Sequence, residues 1–292
     1  MLEQLNQQFA LGDQLRFVSH SSGLIQGLVN TTQCKGSFFL LGAHVTTFQP
    51  LTEQHPVLFM SKEAVYEVGK PIRGGVPICF PWFGANKSDA SAPSHGLVRT
   101  AIWEICSSSQ TEEILSVQLG LRSAPYDLRF TILFGNSLDI QLDIHNLSDD
   151  EAACEVALHS YFELGDAARA SIAGLESHLF RDQLSGELCA ATCQPINFSE
   201  ETDRVYDGSQ ALIEITDPVF GRSIAIQPRN SQSTVVWNPW IAKSKRMSDF
   251  GDLEYQRMCC VETANVGKRN MTIAPQEVQS IGVTVSATAL VQ

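Results

Sequence analysis

The sequence contains no apolar run long enough to cross a membrane as a helix. Such a helix needs about 18 or more mainly apolar residues, whereas the longest apolar run, Phe38–Leu41, is followed by Gly42 and His44. The first 13 residues include Glu3 and Asp13 and lack both the basic segment and the apolar segment of a secretion signal. We therefore predict a cytoplasmic protein that does not associate with membranes.

Positive charge is also scarce. The chain has 20 Lys and Arg residues against 32 Asp and Glu residues, which gives a net charge of −12. A broad basic surface for nucleic acid or anionic lipid is therefore excluded, and a phosphorylated ligand would need a local cluster of arginines. Hydrophobic residues make up 43% of the chain, enough for a large core, so a disordered chain is excluded as well.

No two cysteines have the Cys-x-x-Cys spacing that is common in zinc and redox sites. The eight cysteines are spread over 292 residues, unlike the dense framework of a small disulfide scaffold. Cys189 with Cys193, and the neighbours Cys259 and Cys260, could form metal or redox features. The favoured interpretation is that they are small buried hydrophobic residues on strands, and we predict that all eight are reduced thiols.

Amphipathic helices of 12 or more residues are missing, as is the alternation of helix and strand that marks a parallel sheet. Apolar and polar residues instead alternate along Leu138–Ile144 and Leu128–Phe134, which is the pattern of half-buried strands. The turn residues Gly135–Ser137 lie between these segments and predict an antiparallel hairpin. Further strands are predicted at Leu24–Val29, Ile114–Leu121, Val156–Ser160, Ser223–Gln227, Thr234–Trp237, Met258–Glu262 and Val278–Ala287.

No linker, charge block or internal repeat indicates a domain boundary. We therefore predict an all-β fold, a single large antiparallel β-sandwich domain over residues 1–292. Two stretches, Gly69–Gly96 and Trp237–Gly251, are rich in glycine, proline and aromatic residues and look irregular. Ordered loops on a β-scaffold commonly form the binding site, so we expect the site there.

The first stretch contains Arg-Gly-Gly-Val-Pro at 73–77 and leads into Ser-His-Gly-Leu-Val-Arg at 94–99. Its glycines allow close approach of the backbone to a ligand, its prolines fix the loop, and its aromatic residues can pack under a sugar ring. The pair Gly74 and Gly75 is weak evidence for phosphate binding, because no phosphate-loop spacing or helix start follows it. A structural turn is the alternative.

Two side chains are candidates for acid–base chemistry. His159 lies in the strand-like segment 155–162, on the opposite face from Leu158, although a hydrogen-bonded core histidine is the alternative. Glu262 ends the nearly uncharged segment that begins at Met258. Burial there would raise the pKa of the carboxyl group toward that of a useful base, and a structural, ion-paired glutamate is the alternative.

Six segments in the same order resemble the hexose-6-phosphate mutarotases (glucose-6-phosphate 1-epimerases) of the aldose 1-epimerase superfamily, over roughly residues 40 to 285. They are Arg-Gly-Gly-Val-Pro at 73–77, Ser-His-Gly-Leu-Val-Arg at 94–99, Leu-His-Ser-Tyr-Phe at 158–162, Asp-Arg-Val-Tyr at 203–206, Val-Trp-Asn-Pro-Trp at 236–240 and Val-Glu-Thr-Ala-Asn at 261–265. The resemblance implies a galactose-mutarotase-like sandwich with its site in a concave sheet. It also implies a hexose 6-phosphate such as glucose 6-phosphate as substrate, with no metal or other cofactor.

The resemblance also assigns roles to individual residues. The family's acid matches His159 and its base matches Glu262, whereas Arg73 and Arg99 match its phosphate-binding arginines. The reaction interconverts anomers by opening and reclosing the sugar ring, for which one acid and one base suffice. We expect Glu262 to be ionised and His159 protonated at the start, as a carboxylate–imidazole pair can be near neutral pH.

Three further positions match sugar-binding positions of the family. His95 and Asp203 correspond to residues that hold sugar hydroxyls, and Ser94 stands where many relatives have glutamine, so contact there is lost or made through water. The Asn-Arg and His-Gly-Gly signatures of the free-sugar mutarotases are absent, which favours a phosphorylated substrate. Two alternatives stay open: a non-catalytic carbohydrate-binding sandwich, and an epimerase of unphosphorylated aldoses.

Overall fold

The computed structural model describes residues 1–208 and 211–290 and is built mainly of short strands. The α-helices are α1 (Leu2–Phe9) and α2 (Trp240–Ser244), and turns of 3-10 helix lie at Val98–Thr100, Glu254–Arg257 and Gly267–Arg269. The strands are β1 (Leu15–Ser19), β2 (Ile25–Asn30), β3 (Cys34–Phe39), β4 (His44–Pro50), β5 (Ile78–Cys79), β6 (Glu104–Gln110), β7 (Leu115–Ser123), β8 (Tyr126–Phe134), β9 (Leu138–Asn146), β10 (Ala152–Cys154), β11 (Val156–Leu158), β12 (Tyr161–Glu163), β13 (Ser171–Ala173), β14 (Phe180–Asp182), β15 (Leu188–Cys189), β16 (Ile196–Asn197), β17 (Thr202–Asp207), β18 (Ile213–Asp217), β19 (Arg222–Arg229), β20 (Ser233–Asn238), β21 (Met258–Asn265), β22 (Met271–Ile273) and β23 (Val278–Ala289). Among the described residues, no helix has the length and apolar character needed to span a bilayer.

The strands form two large sheets and two small ones. The nine-stranded sheet has the order β16-β13-β18-β19-β23-β9-β8-β7-β6, and the eight-stranded sheet has the order β15-β14-β17-β20-β21-β11-β5, with β12 also beside β21. Strands β1 to β4 form a third sheet, and β10 pairs with β22. All these pairings are antiparallel. The predicted all-β antiparallel fold is therefore confirmed.

Each predicted strand overlaps an observed one, and the predicted hairpin is present, with Phe134 paired to Leu138 across the turn. Three local predictions differ from the structure, the first being that Gly69–Gly96 is not wholly irregular because it contains β5. The segment 155–162 is not one strand, because His159 and Ser160 separate β11 from β12. The stretch Trp237–Gly251 is not wholly irregular, since it includes the end of β20 and all of α2.

Asn238 closes a turn just before α2. It accepts a hydrogen bond from the backbone N–H of Trp240 through Oδ1 (2.8 Å). The Nδ2 group of Asn238 donates to the backbone oxygens of Tyr255 and Met258, at 2.9 Å and 2.8 Å. The Asn-Pro-Trp motif therefore fastens α2 to the start of β21.

The main core lies between the two large sheets. It contains Phe130 and Leu142 of the nine-stranded sheet together with Val236, Cys259 and Val261 of the eight-stranded sheet. Burying a large apolar side chain contributes about 1.5–3 kcal/mol, so this packing fixes which face of β20 and β21 points inward. Because side chains alternate along a strand, the residues between these core positions face the opposite side of the sheet.

The loop that carries the Ser-His-Gly motif requires glycine at position 96. Gly96 has a φ of +79°, and a Cβ atom there would lie 1.9 Å from the backbone oxygen of Phe80. We expect Gly96→Ala to lower the free energy of unfolding by about 1–3 kcal/mol more than Gly69→Ala. Gly69 is the matched control because its φ of +83° is similar, whereas nothing lies within 4 Å of its Cβ position. Urea unfolding measures both values, and equal losses would contradict the close approach.

Candidate active site

A cavity of about 500 Å³ opens on the side of the eight-stranded sheet that faces away from the main core. Its volume is in the range of small-molecule sites, about 300–1,000 Å³. Both stretches that we expected to form the site border it: Arg73, Phe83 and His95 come from the first, and Trp237 and Lys243 from the second.

Five of the seven predicted site residues border this cavity. They are Arg73, His95, His159, Asp203 and Glu262, whereas Ser94 and Arg99 are not among its lining residues.

His159 and Glu262 are cross-strand neighbours. Leu158 of β11 pairs with Thr263, and Tyr161 of β12 pairs with Cys260, so the same register continues through the break and sets His159 opposite Glu262. Side chains opposite each other in an antiparallel pair have Cβ atoms about 4.5–5.5 Å apart. The sheet therefore brings the predicted acid and base together, with His159 Nδ1 3.3 Å from Glu262 Oε1.

This pair has unmet hydrogen-bonding capacity. His159 is 7% exposed and Glu262 is 1% exposed. Despite the short separation, Nδ1 of His159 and Oε2 of Glu262 have no hydrogen-bond partner among the described residues. Buried polar atoms without partners are rare in folded proteins. Two of them lie at one cavity, where a ligand with adjacent polar atoms would be able to pair with both.

Burial sets the protonation of the pair. Burial is the main cause that raises the pKa of Glu262 well above its ordinary value, and the charge of Asp203 raises it further. Burial also lowers the pKa of His159 well below its ordinary value, and the charges of Arg73 and Arg99 add to this. Burial therefore opposes the expected starting state, an ionised Glu262 and a protonated His159, in the ligand-free protein, because loss of solvation disfavours both charges.

Arg73 is held rigidly at the cavity wall. Its Nε and Nη2 groups donate to Oδ2 of Asp249, at 3.2 Å and 3.0 Å, and Nη1 donates to the hydroxyl of Tyr161 at 2.9 Å. The ring of Tyr161 in turn stacks on His159, with centroids 4.9 Å apart and planes 8° from parallel. Asp249 and Tyr161 therefore orient Arg73, and the same tyrosine also supports His159.

The Ser-His-Gly loop brings only one of its three predicted site residues, His95, to the cavity; the other two are Ser94 and Arg99. The backbone N–H of Gly84 donates to Nδ1 of His95 (3.3 Å), and burial with the charges of Arg99 and Arg73 lowers the pKa of His95 to about 3. The ring of His95 is therefore neutral, with Nε2 as a donor toward a ligand. The side chain of Ser94 is exposed, and its backbone oxygen accepts a hydrogen bond from Nη2 of Arg99 at 2.7 Å.

Asp203 lies on the far wall of the cavity from the early loops. It is in β17 opposite Trp237 of β20, and its Oδ2 is 3.5 Å from Nζ of Lys243. The same ammonium group lies 3.2 Å from Glu201 and 5.6 Å from the ring centre of Trp237. Sequence reasoning missed Lys243, because nothing local distinguishes it from other lysines of its segment. A carboxylate, an ammonium group and an indole face are suited to binding sugar hydroxyls and the apolar face of a sugar ring.

The paired glycines have a structural role. A Cβ atom on Gly75 would lie 2.1 Å from the backbone oxygen of Val45, and one on Gly74 would lie 2.5 Å from that of Phe59. Neither glycine is among the residues that line the cavity. The structural-turn alternative is therefore the correct one for this pair.

The cysteine predictions are only partly correct. All eight cysteines are free, as expected. The expectation of burial is wrong for Cys193, which is exposed, and Cys189 is half-buried. Cys259 and Cys260 are both buried but face opposite sides of the sheet: Cys259 lies in the main core, and Cys260 packs with the aromatic residues Tyr161 and Trp237.

Comparisons with known proteins agree with this architecture. A family model described as aldose 1-epimerase matches residues 27–286. A protein of Salmonella typhimurium, provisionally named a glucose-6-phosphate 1-epimerase, is 33% identical over 246 residues, which cover 81% of this chain and 81% of that protein. A crystal structure from Salmonella typhimurium, provisionally described as a mutarotase, matches with a TM-score of 0.89 and 29% identity over 96% of both chains. A galactose mutarotase-like protein of Clostridium acetobutylicum matches in fold alone, with a TM-score of 0.71 and 12% identity over 94% of this chain and 98% of that one. The galactose-mutarotase-like fold is thereby confirmed, and the chain belongs to the aldose 1-epimerase family.

Proposed function

We propose that the protein is a hexose-6-phosphate mutarotase that interconverts the α and β anomers of glucose 6-phosphate. The observation that carries the proposal is the pair of buried atoms without partners, Nδ1 of His159 and Oε2 of Glu262, beside a sugar-sized cavity. The anomeric hydroxyl and the ring oxygen of a pyranose are bonded to one carbon, so they can meet two adjacent protein groups at once. The family, and the relatives named for glucose 6-phosphate, support the choice of substrate.

The reaction is a proton exchange at two oxygens. Glu262 removes the proton from the C1 hydroxyl while His159 protonates the ring oxygen, and the C1–O5 bond breaks to give the open aldehyde. Rotation about C1–C2 presents the other face of the carbonyl, and the ring closes as both protons return. Both protons are exchanged between the sugar and the two side chains, so no atom and no net charge is gained or lost. Each of the two groups is expected to contribute roughly 10²–10⁴ in rate.

The pKa shifts of the pair in the ligand-free protein are compatible with this scheme. A protonated Glu262 with neutral His159 holds the same number of protons as an ionised Glu262 with protonated His159. The catalytic state therefore requires only that one proton moves within the pair when substrate binds. A phosphate dianion in the cavity favours the positively charged imidazolium, and the sugar hydroxyl supplies a hydrogen bond to the carboxylate.

Recognition of the phosphate is assigned to Arg73 and Arg99. A protein with a net charge of −12 repels a dianion unless fixed donors neutralise it locally. Arg73 borders the cavity in a fixed orientation, and Arg99 lies near enough for its charge to lower the pKa of His95. The planar guanidinium group makes paired, charge-assisted hydrogen bonds with phosphate oxygens.

We expect Arg99→Ala and Arg73→Ala each to raise KM for glucose 6-phosphate roughly tenfold to hundredfold, equivalent to about 1.5–3 kcal/mol for a charged hydrogen bond. The effect on kcat should be smaller, because the phosphate is remote from C1 and is bound equally in ground and transition states. Activity on unphosphorylated glucose should hardly change.

Arg122→Ala is the matched control for these variants. Arg122 is exposed on β7 of the nine-stranded sheet, so its replacement makes the same change in net charge outside the cavity. It should leave KM unchanged. If Arg73→Ala and Arg99→Ala each reduced the activity on glucose and on glucose 6-phosphate by the same factor, the arginines would be structural.

Polarimetry tests the proposed function itself. Freshly dissolved α-glucose 6-phosphate changes its optical rotation slowly by itself, and the protein should accelerate that change in proportion to its concentration. Binding of the sugar phosphate without acceleration would instead support the non-catalytic carbohydrate-binding alternative. Equal acceleration with and without the 6-phosphate would support an epimerase of free aldoses.

A further inference from the structure

We propose that His159 and Glu262, which line the cavity, bind a thiophilic divalent cation such as Zn²⁺ together with the buried Cys260, and that this ion inhibits the enzyme. Each of these residues offers one ligand atom, and the three atoms lie within 4.8 Å of one another. Binding of the ion is independent of the proposed function, whereas its effect as an inhibitor rests on that function.

The spacing of two donors already fits a metal ion. A tetrahedral zinc with bonds of about 2.0–2.1 Å to nitrogen and oxygen holds those two ligands about 3.3 Å apart. His159 Nδ1 and Glu262 Oε1 are 3.3 Å apart, and Nδ1 has no hydrogen-bond partner in the described structure. The sulfur of Cys260 lies within 4.8 Å of the other two ligand atoms, and the ion would draw it closer to complete the set.

The sheet fixes this arrangement. Cys260 and Glu262 are two residues apart on β21, so they share the face that looks away from the main core. His159 is opposite Glu262 in the register, and Tyr161 is paired with Cys260. All three ligand residues therefore lie on strand backbone that is hydrogen-bonded, or directly beside it. Because this backbone is already ordered, less conformational entropy is lost when the residues bind an ion. The fourth coordination position would face the cavity, as in zinc sites with three protein ligands.

The charge balance favours a divalent ion with an affinity for sulfur. One carboxylate and one thiolate neutralise a dication, and the imidazole binds as the neutral base. Burial raises the pKa of the Cys260 thiol, so metal binding would release its proton to solvent. A nitrogen–sulfur–oxygen set is suited to zinc or cadmium and not to Mg²⁺ or Ca²⁺, which prefer oxygen ligands.

Two of the nearby cations are paired with carboxylates. Arg73 is paired with Asp249, and Lys243 lies near both Glu201 and Asp203. Arg99 donates to the backbone oxygen of Ser94, and its positive charge acts on both His159 and Glu262, so it opposes the binding of a cation. Once bound, the metal ion would occupy the lone pairs with which the acid and base act on the sugar. Inhibition should accordingly be competitive with glucose 6-phosphate.

Direct metal binding is the first test, because it does not depend on activity. We expect the metal-free full chain to bind one equivalent of Cd²⁺ with a cadmium–thiolate absorption band in the near ultraviolet, and to bind Zn²⁺ in competition with a chromophoric chelator. Cys260→Ser should lose the band and bind Zn²⁺ at least tenfold more weakly. Cys106→Ser with Cys193→Ser removes two exposed thiols and is the matched control, which should bind as the wild type does.

The second test measures inhibition. Zn²⁺ should slow anomer exchange by the wild type and by the control, a chelator should restore it, and Cys260→Ser should be resistant. If Cys260→Ser does not fold, His159→Asn must lose the bound ion instead. A cadmium–thiolate band that survives in Cys260→Ser, or its absence from the wild type, would overturn the proposed site. If the wild type binds the ion but shows no exchange activity, the metal site stands and the proposed function fails.

Discussion

Glu262→Gln is expected to lower the catalysed rate of anomer exchange by roughly 10² or more and to leave binding of glucose 6-phosphate largely intact. Glutamine keeps the shape of the side chain and can still hydrogen-bond, but it cannot take the proton from the C1 hydroxyl. Exchange NMR measures the rate, and titration calorimetry measures the binding.

Glu104→Gln is the matched control for this variant. Glu104 is exposed on β6 of the nine-stranded sheet, away from the cavity, and its replacement should keep the wild-type rate. A folded Glu262→Gln protein with wild-type exchange would show that the carboxyl group is not the base.

His159→Asn should cause a loss of similar size, because the ring oxygen then has no proton donor. Acid and base act in one step, so the double variant with Glu262→Gln should be little worse than either single variant. The three rate constants, compared with the wild type by exchange NMR, provide this test.

His145→Asn is a suitable control for the histidine. His145 is half-buried on β9 and contacts the backbone oxygen of Gln276, outside the cavity. It should be fully active. If the fold-loss in rate of the double variant equalled the product of the two single fold-losses, His159 and Glu262 would not cooperate in one step.

The fold was readable from local pattern because strand periodicity is a local property. The alternation along Leu138–Ile144 and along its preceding hairpin partner, Leu128–Phe134, is visible in consecutive residues, and β8 and β9 pair as expected. The break at His159 was not readable, because the register of β11 and β12 against β21 is set by packing between segments about a hundred residues apart. Only the structure shows that His159 faces Glu262.

Site residues that lie within a sequence motif can be predicted. Residues that reach the site only through tertiary contacts cannot. Arg73 was identified, but its partner Asp249 lies 176 residues away and has no local signature. The sequence predicts the direction of the pKa shift of Glu262, since burial raises that pKa, but the extent of its burial is seen only in the structure. Arg99 matches the family's motif but is not among the residues that line the cavity, and its Nη2 group donates to the backbone oxygen of Ser94.

Two-dimensional exchange NMR on equilibrated glucose 6-phosphate, beside glucose under the same conditions, tests the central claim most directly. It reports the rate between α and β anomers at equilibrium, so only catalysis, and not binding, can increase it. We predict strong exchange between the anomers of glucose 6-phosphate at protein concentrations where glucose exchanges little faster than without protein, and loss of this exchange in Glu262→Gln. Exchange of glucose 6-phosphate no faster than in the protein-free sample would contradict the proposed activity.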